Sequence, residues 1–522
     1  MSLTNGSFAS LPPMSGRLWL PNLIVFVSNA CIMIVELVAG RLVAPYVGVS
    51  LYTWTSVIGV VLAGISLGNY LGGRLADRYA SRRFLGATFL IAGFCTLSIL
   101  GTVKLLGQSA MPSFLPLMAR IAILIAAIFF LPSAALGAIS PIVAKLALQD
   151  LARTGNVIGQ IYAYSALGSI VGTFATGFFL ISWFGTRVIV LAVGVLLLCM
   201  GLVIGGWVSR ILSRAVLAGL ALLGVAFAPA HLPLGNPCLR ESNYYCIKVH
   251  DQELDDGSQV RVLILDRLIH SYTSLEDPTR LVYGYEKVYA EVAAYMAYRR
   301  PAFQALFIGG GGYTFPRFLE AVYPYTSLDV AEIDPEVTAV AYEELGLSRQ
   351  TRIRTFNQDA RLFLMRLAPT RRYDLVLGDA FNDYSVPYHL TTWEFNEMVR
   401  AHLADDGIYV VNLIDGRHRL FLTAYLRTMR LTFPYVHLVP VGAGWENAVR
   451  TTFVVIASPQ ALDLELLISL DGGDGAHQIR DWLLPAQQVE AMLSTTAPIV
   501  LTDDYVPVDN LLAPVFEESE RF

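Results

Sequence analysis

The chain has 522 residues, of which 55% are hydrophobic and only 15% charged, and its mean hydropathy is +0.53. Usage this apolar exceeds that of ordinary soluble proteins, so part of the chain must be solvated by lipid. A formal net charge of -5 supplies neither the basic excess that binds nucleic acid nor an acidic tail, which argues against a nucleic-acid partner.

The apolar excess lies in the first half. Segments at residues 21–43, 54–76, 84–106, 117–142, 158–182, 187–208 and 214–231 each approach the roughly 20 residues that cross hydrocarbon as a helix, which predicts about seven spans. The first is span-length and no small-residue cleavage site follows it, so it reads as a span and not as a signal peptide. Glu36 and Arg41 lie in or beside that span, where ionisable groups are costly unless paired or functional, and they can pair with each other. GNYLGGRLADRYASRR resembles the loop between the second and third helices of major-facilitator transporters, and GSIVGTFATGFFLISWFG echoes GISLGNYLGGRLADRYA. Small-residue faces of this kind commonly serve helix packing; a channel feeding amine to a site is the functional alternative.

From about Pro233 the apolar runs shorten and turns return. The expected organisation is a transmembrane helical domain at 1–235, a small β cap with a linking helix at 236–300, and a nucleoside-binding domain at 301–522. SNYYCIKVHDQEL and SQVRVLILDRLIHSYT alternate as strands around a turn at Asp256 and Gly257, which predicts the antiparallel cap. Then ALFIG, SLDVAEI, RIRTF, YDLVLGD and IYVVNLI alternate with helices such as PEVTAVAYEEL and TTWEFNEMVRAHL, the rhythm of an α/β Rossmann-like, doubly wound sheet. Asp334 followed by Pro335 reads as a helix N-cap.

The run from Ala305 to Glu336 reads as strand, glycine turn, helix, strand and terminal acid. Gly309, Gly310, Gly311 and Gly312 let backbone approach a ligand, and Glu332 follows about twenty residues later, the reach of an acid to a ribose diol. Glu332, Asp359 and Asp379 all fall at carboxyl ends of strands, where such sheets collect ligands. The five cysteines have no metal-ligand spacing and the eight histidines form no HExxH cluster, so no metal is expected. Cys238 and Cys246 flank the start of the soluble part, and a disulfide between them would argue for an outside location.

Several segments carry a family resemblance. LDRLIH resembles the Leu-Asp-Gly-x-x-Gln segment of the polyamine aminopropyltransferases, IGGGG their glycine loop, AEID their Glu-containing strand end and QDARLFL their Gly-Asp-Gly segment. YDLVLGDAF is similar to the tract before their catalytic loop, and LTDDYVPVDN looks like a recurrent ending. The resemblance covers about Glu241 to Leu420, and the whole chain looks like the membrane-fused branch of this spermidine synthase family. It implies a co-substrate, decarboxylated S-adenosylmethionine, in place of any permanently bound cofactor, and a di- or polyamine partner. Carried across, Glu332 binds the ribose hydroxyls, Asp359 the adenine amino group, and Ala360 offers a backbone contact; Asp266 and His270 stand near the aminopropyl group. Asp379 matches the catalytic acid that takes a proton from the amine, and Tyr283 the tyrosine that assists it. Asp383, Asp503 and Asp504 would attract the dicationic amine while Tyr283 and Tyr285 pack its methylenes.

The chain departs from the pattern at Gly312, where the family carries an acid, at Arg267 and His270 in place of glycine and glutamine, and after Asp379, where Ala380, Phe381, Asn382 and Asp383 replace Asp-Ser-Ser-Asp. Each site residue also has a plain structural reading: Asp379 and Asp359 as caps, Glu332 as only structural, His270 and the tyrosines as packing, His389 as a loop anchor, Asp503 and Asp504 as ties of the tail. The competing functions are an S-adenosylmethionine-dependent methyltransferase, and a transporter or sensor whose soluble domain only binds. Soluble relatives commonly form dimers or tetramers, so a homodimer belongs to the expectation, as does a bilayer, in bacteria the inner membrane. Lysines and arginines in the loops between spans, with seven crossings, put the soluble half outside by the positive-inside rule. A nucleoside made in the cytoplasm argues for the inside, and the cytoplasmic face is the expectation.

Overall fold

In this computed structural model, which describes residues 18–107, 115–148, 154–207, 237–380, 386–473, 475 and 477–519, the chain divides into two compact units that part at Asn236 and Pro237. The described residues of the first contain five helices long and apolar enough to cross a membrane: α1 (Trp19–Val47), α2 (Leu51–Tyr79), α3 (Arg82–Gly107), α4 (Leu117–Ala147) and α5 (Thr154–Gly205). At about 1.5 Å per residue α5 would be roughly two and a half times as long as a bilayer core is thick. Its path breaks at Gly185, whose φ of 68° and ψ of 158° are not helical, dividing it into the segments expected at 158–182 and 187–208. The segment expected at 214–231 lies outside the described residues, as do three arginines of the basic loops, Arg153, Arg210 and Arg214. In α4, Pro132 lacks the N–H that would bond back one turn, and the helix widens into a π turn at Ala126–Phe130 just before it.

Small residues let these helices touch backbone to backbone. Gly64, Gly68 and Gly72 recur every four residues of α2, and a Cβ at Gly68 would stand 2.1 Å from the Ala134 carbonyl oxygen of α4. The echoing segment uses the same device, since a Cβ at Gly168 of α5 would stand 2.1 Å from the Phe26 carbonyl oxygen of α1. Helix packing therefore accounts for both glycine faces.

The second unit opens with a four-stranded antiparallel sheet in the order β1 (Arg240–Glu241), β2 (Cys246–Glu253), β3 (Gln259–Leu265), β4 (Leu268–Thr273). Its central hairpin turns at Asp256 and Gly257, where Gly257 takes a φ of 79° and Asp256 accepts the Ser258 N–H. A disulfide joins Cys238 to Cys246.

The main sheet comprises β5 (Gln304–Ile308), β6 (Ser327–Ala331), β7 (Arg354–Phe356), β8 (Tyr373–Gly378), β9 (Leu403–Asp415), β10 (Tyr435–Pro440) and β11 (Thr451–Ser458), in the order β10-β11-β9-β8-β5-β6-β7. The five strands β5 to β9 run parallel, and β10 and β11 close one edge antiparallel. All of β8 and four of five residues in β5 are buried, as strands covered on both faces must be. Helix α6 (Gly284–Arg299) packs Val288, Tyr289, Val292 and Ala293 into the core with Phe307, Leu375 and Val410. Helices α7 (Thr314–Val322), α8 (Pro335–Glu344), α9 (Ala360–Arg366), α10 (Trp393–Ala401) and α11 (Leu420–Thr432) join the strands. Strand order reverses between β5 and β8, so a crevice opens beyond their carboxyl ends.

Candidate functional site

The glycine run leaves β5 at this switch point. Gly309 takes a φ of 96°, and a Cβ there would stand 2.4 Å from the Asp379 carbonyl oxygen, so close approach and backbone angle both require glycine. Glu332, at the end of β6 and only 6% exposed, accepts the N–H groups of Gly310 at 2.7 Å and Gly311 at 3.3 Å through one oxygen, and that of Asp334 at 2.9 Å through the other. Burial pushes its carboxyl up to about 7 while those N–H groups pull it down. Both of its oxygens thus brace the loop.

Asp359 caps α9, accepting the Leu362 N–H at 3.0 Å, and lies 2.7 Å from His389 Nε2. Burial opposes its ionisation, but the bonds from His389 and the Leu362 N–H hold its carboxyl below the usual range. Ala360 follows as the first, buried residue of α9.

Asp379 ends β8, its N–H donating to the Ile308 carbonyl of β5. Its carboxylate is held from two sides: Tyr285 Oη donates to Oδ2 at 3.0 Å and Asn412 Nδ2 to Oδ1 at 2.8 Å. Burial raises its pKa, against the lowering effect of those two bonds. Tyr285 belongs to an aromatic file along the start of α6, in which ring centroids lie 5.0 Å apart for Tyr272–Tyr283, 5.2 Å for Tyr283–Tyr285 and 5.4 Å for Tyr285–Tyr289. The tyrosine that reaches Asp379 is thus Tyr285, whereas the Tyr283 hydroxyl, expected there, donates to the Ile269 carbonyl at 2.9 Å. Tyr285 lies two residues further into the helix, and its hydroxyl reaches Asp379 beyond β8.

Other expected residues serve elsewhere. Asp266 sits in the β3–β4 turn at a φ of 55°, and its Oδ1 accepts the Cys246 N–H, so its carboxyl ties the cap. Asp503 pairs with both terminal nitrogens of Arg361 and accepts the Thr392 hydroxyl, which fixes the C-terminal tail instead of offering a free acid to an amine. Asp504 is exposed. His270 is enclosed, with no hydrogen-bond partner for Nε2; burial first, then the Arg450 charge, lowers its pKa to about 4, so it is neutral at pH 7. Asp383, with Phe381 and Asn382, lies outside the described residues. Among the described residues, no cluster of His, Cys, Asp and Glu could hold a metal ion.

Sequence reasoning missed Asn412 and Glu286. Asn412 comes from β9, and nothing along the chain ties it to Asp379. Glu286 is three residues after the N-cap Tyr283, a position from which a glutamate reaches back to the cap, and that spacing was the available signal.

No family model matches the chain. It is 38% identical over 110 residues to a polyamine aminopropyltransferase of Vibrio vulnificus, covering 20% of this chain and 36% of that one. A probable polyamine aminopropyl transferase of Bifidobacterium longum is 34% identical over 109 residues, 21% of this chain and 24% of that one. The chain thus spans about a third and a quarter of the length of these two relatives. A polyamine aminopropyltransferase of Corynebacterium efficiens is 25% identical over 414 residues, which is 75% of this chain and 76% of that one. An N-terminal histidine N-methyltransferase of Emericella nidulans is 33% identical over 131 residues, 24% of this chain and 23% of that one. The crystal structure of a probable spermidine synthase from Corynebacterium glutamicum aligns with a TM-score of 0.44 at 20% identity, over 51% of this chain and 96% of that one.

Proposed function

We propose, for a chain that belongs to the polyamine aminopropyltransferase (spermidine synthase) family, that the soluble half moves the aminopropyl group of decarboxylated S-adenosylmethionine onto a nitrogen of a di- or polyamine such as putrescine. A neutral amine attacks the carbon beside the sulfonium. The N–C bond forms as the C–S bond breaks, the electron pair goes to sulfur, and methylthioadenosine leaves. The new ammonium loses its proton to Asp379. The observation that carries this reading is the Asp379 carboxylate, held between Tyr285 and Asn412 just past the carboxyl end of β8, where the Asp379 backbone meets Gly309 at the switch point. Two bonds fix its direction and burial makes it more basic, both of which suit a general base for an ammonium. Tyr285 takes the assisting role that the resemblance assigned to Tyr283. Glu332 and the glycine loop would receive the ribose and Asp359 the adenine.

One observation favours a second reading, methyl transfer from S-adenosylmethionine: Gly312 stands where the family's acid would meet the aminopropyl arm. Single-turnover release of methylthioadenosine from the decarboxylated donor and putrescine, abolished in Asp379→Asn, tests the first. Turnover only with S-adenosylmethionine would replace it by the second.

The five long apolar helices support an integral membrane protein. The Cys238–Cys246 disulfide and the basic loops both favour a soluble half on the oxidising side, against the expectation drawn from cofactor supply.

A further inference from the structure

An acid that caps its own helix needs one oxygen for the task. Asp359 spends Oδ1 on the Leu362 N–H, and its other oxygen meets His389 Nε2 at 2.7 Å. Burial opposes ionisation of Asp359, and the His389 bond does most to restore it, holding the carboxyl below its usual range. An ionised carboxylate only accepts, so Nε2 carries the proton and donates to Oδ2.

The imidazole is not needed to anchor its own segment. Arg361 Nη1 donates to the His389 carbonyl at 3.1 Å, the Thr392 hydroxyl to Asp503 at 2.8 Å and the Trp393 N–H to the Leu501 carbonyl at 2.9 Å. Arg361 also pairs with Asp503 of LTDDYVPVDN, so the C-terminal tail, the start of α9 and the segment bearing His389 form one network. The ring thus reaches Asp359 from a base already fixed. Asp359 keeps 19% of its side chain exposed, so an N–H of a ligand can reach the lone pair of Oδ2 that His389 leaves. Tyr244, in the β1–β2 loop, is raised in pKa by burial and then by the charges of Asp334, Asp359 and Glu332, so the acids assigned to adenine and ribose act on one space.

We propose that His389 is a positioning residue for the nucleobase: it aims the Asp359 oxygen at the exocyclic amino group of adenine and keeps that oxygen an acceptor, so that the site selects a 6-aminopurine over a 6-oxopurine. The inference rests on the transferase reading, which gives Asp359 to the adenine, and deepens it. An aminopurine presents an N–H to Oδ2, whereas an oxopurine presents a carbonyl oxygen, acceptor against acceptor. Without the imidazole the carboxylate can turn toward water, and the distinction weakens.

The test is calorimetric titration of the full chain with methylthioadenosine and with methylthioinosine, which differ at the 6-position and at the adjoining ring nitrogen. The wild type should prefer methylthioadenosine by about tenfold or more, as a site built to receive a donor rejects a ligand lacking it. His389→Ala should shrink that preference to about threefold or less, chiefly by weakening methylthioadenosine, and His389→Gln, which keeps an N–H donor, should restore most of it. A purely structural bond would weaken both nucleosides alike and leave their ratio unchanged, which would overturn the role of His389 alone. Equal affinity of the wild type for the two nucleosides would overturn it together with the adenine role of Asp359. Failure of the wild type to bind either would overturn the transferase reading as well.

Discussion

Asp379 is the residue on which chemistry would turn, because two neutral donors aim its carboxylate without neutralising it. Asp379→Asn is expected to lower kcat by roughly 10²- to 10⁴-fold, the usual worth of a general base, while methylthioadenosine binding is retained; loss of binding with the rate would point to a structural cap instead. Tyr285→Phe removes the bond to Oδ2 and should lower kcat more than Tyr283→Phe does, since Tyr283 spends its hydroxyl on Ile269. Steady-state rates of the two variants, side by side, decide the assignment. The acids at strand ends were legible because an acid after an apolar run is conspicuous. Which of two tyrosines two residues apart would reach one of those acids was not, because it depends on the angle at which α6 starts.

At the scale of elements, the glycine stripe on α2 makes a sharp prediction. Gly68→Leu forces backbone apart at Ala134 and should destabilise the helix pair by roughly 1–3 kcal/mol, as overpacking does, whereas Gly59→Leu, with nothing within 4 Å of its Cβ position, should be neutral. Detergent-solubilised yield and thermal midpoint of the two variants measure the difference. In the soluble half, Glu286, Glu332 and Asp415 are pushed up to about 8, 7 and 6, each chiefly by burial. The folded state thus holds protons that the unfolded chain has already released. Stability should fall as pH rises from about 5 to about 8, readable as smaller protection factors of the β5 and β8 amides once the intrinsic rate at each pH is divided out; a rise in stability over that window would contradict the assignment. The five parallel strands were legible from their alternation with helices and their apolar runs. The β10–β11 hairpin that closes the sheet was not, because LVP follows a helix as any parallel strand would, and the turn between it and TTFVVIA does not announce the reversal.

For the whole molecule, the contrast between an apolar first half and a more polar second half follows from composition alone, since lipid and water select different residues. The side of the membrane does not, because crossings must be counted one by one. The disulfide offers a direct check: in intact membranes a maleimide should modify Cys238 and Cys246 only after reduction. Labelling before reduction would remove the redox argument for the oxidising side. The central claim, alkyl transfer to an amine through Asp379, is tested most directly by mass spectrometry of the amine after incubation of the full chain with a diamine panel and either decarboxylated S-adenosylmethionine or S-adenosylmethionine. The account predicts a gain of one aminopropyl unit from the decarboxylated donor, lost in Asp379→Asn; a gain of one methyl from S-adenosylmethionine, or unchanged amines with both donors, would contradict it.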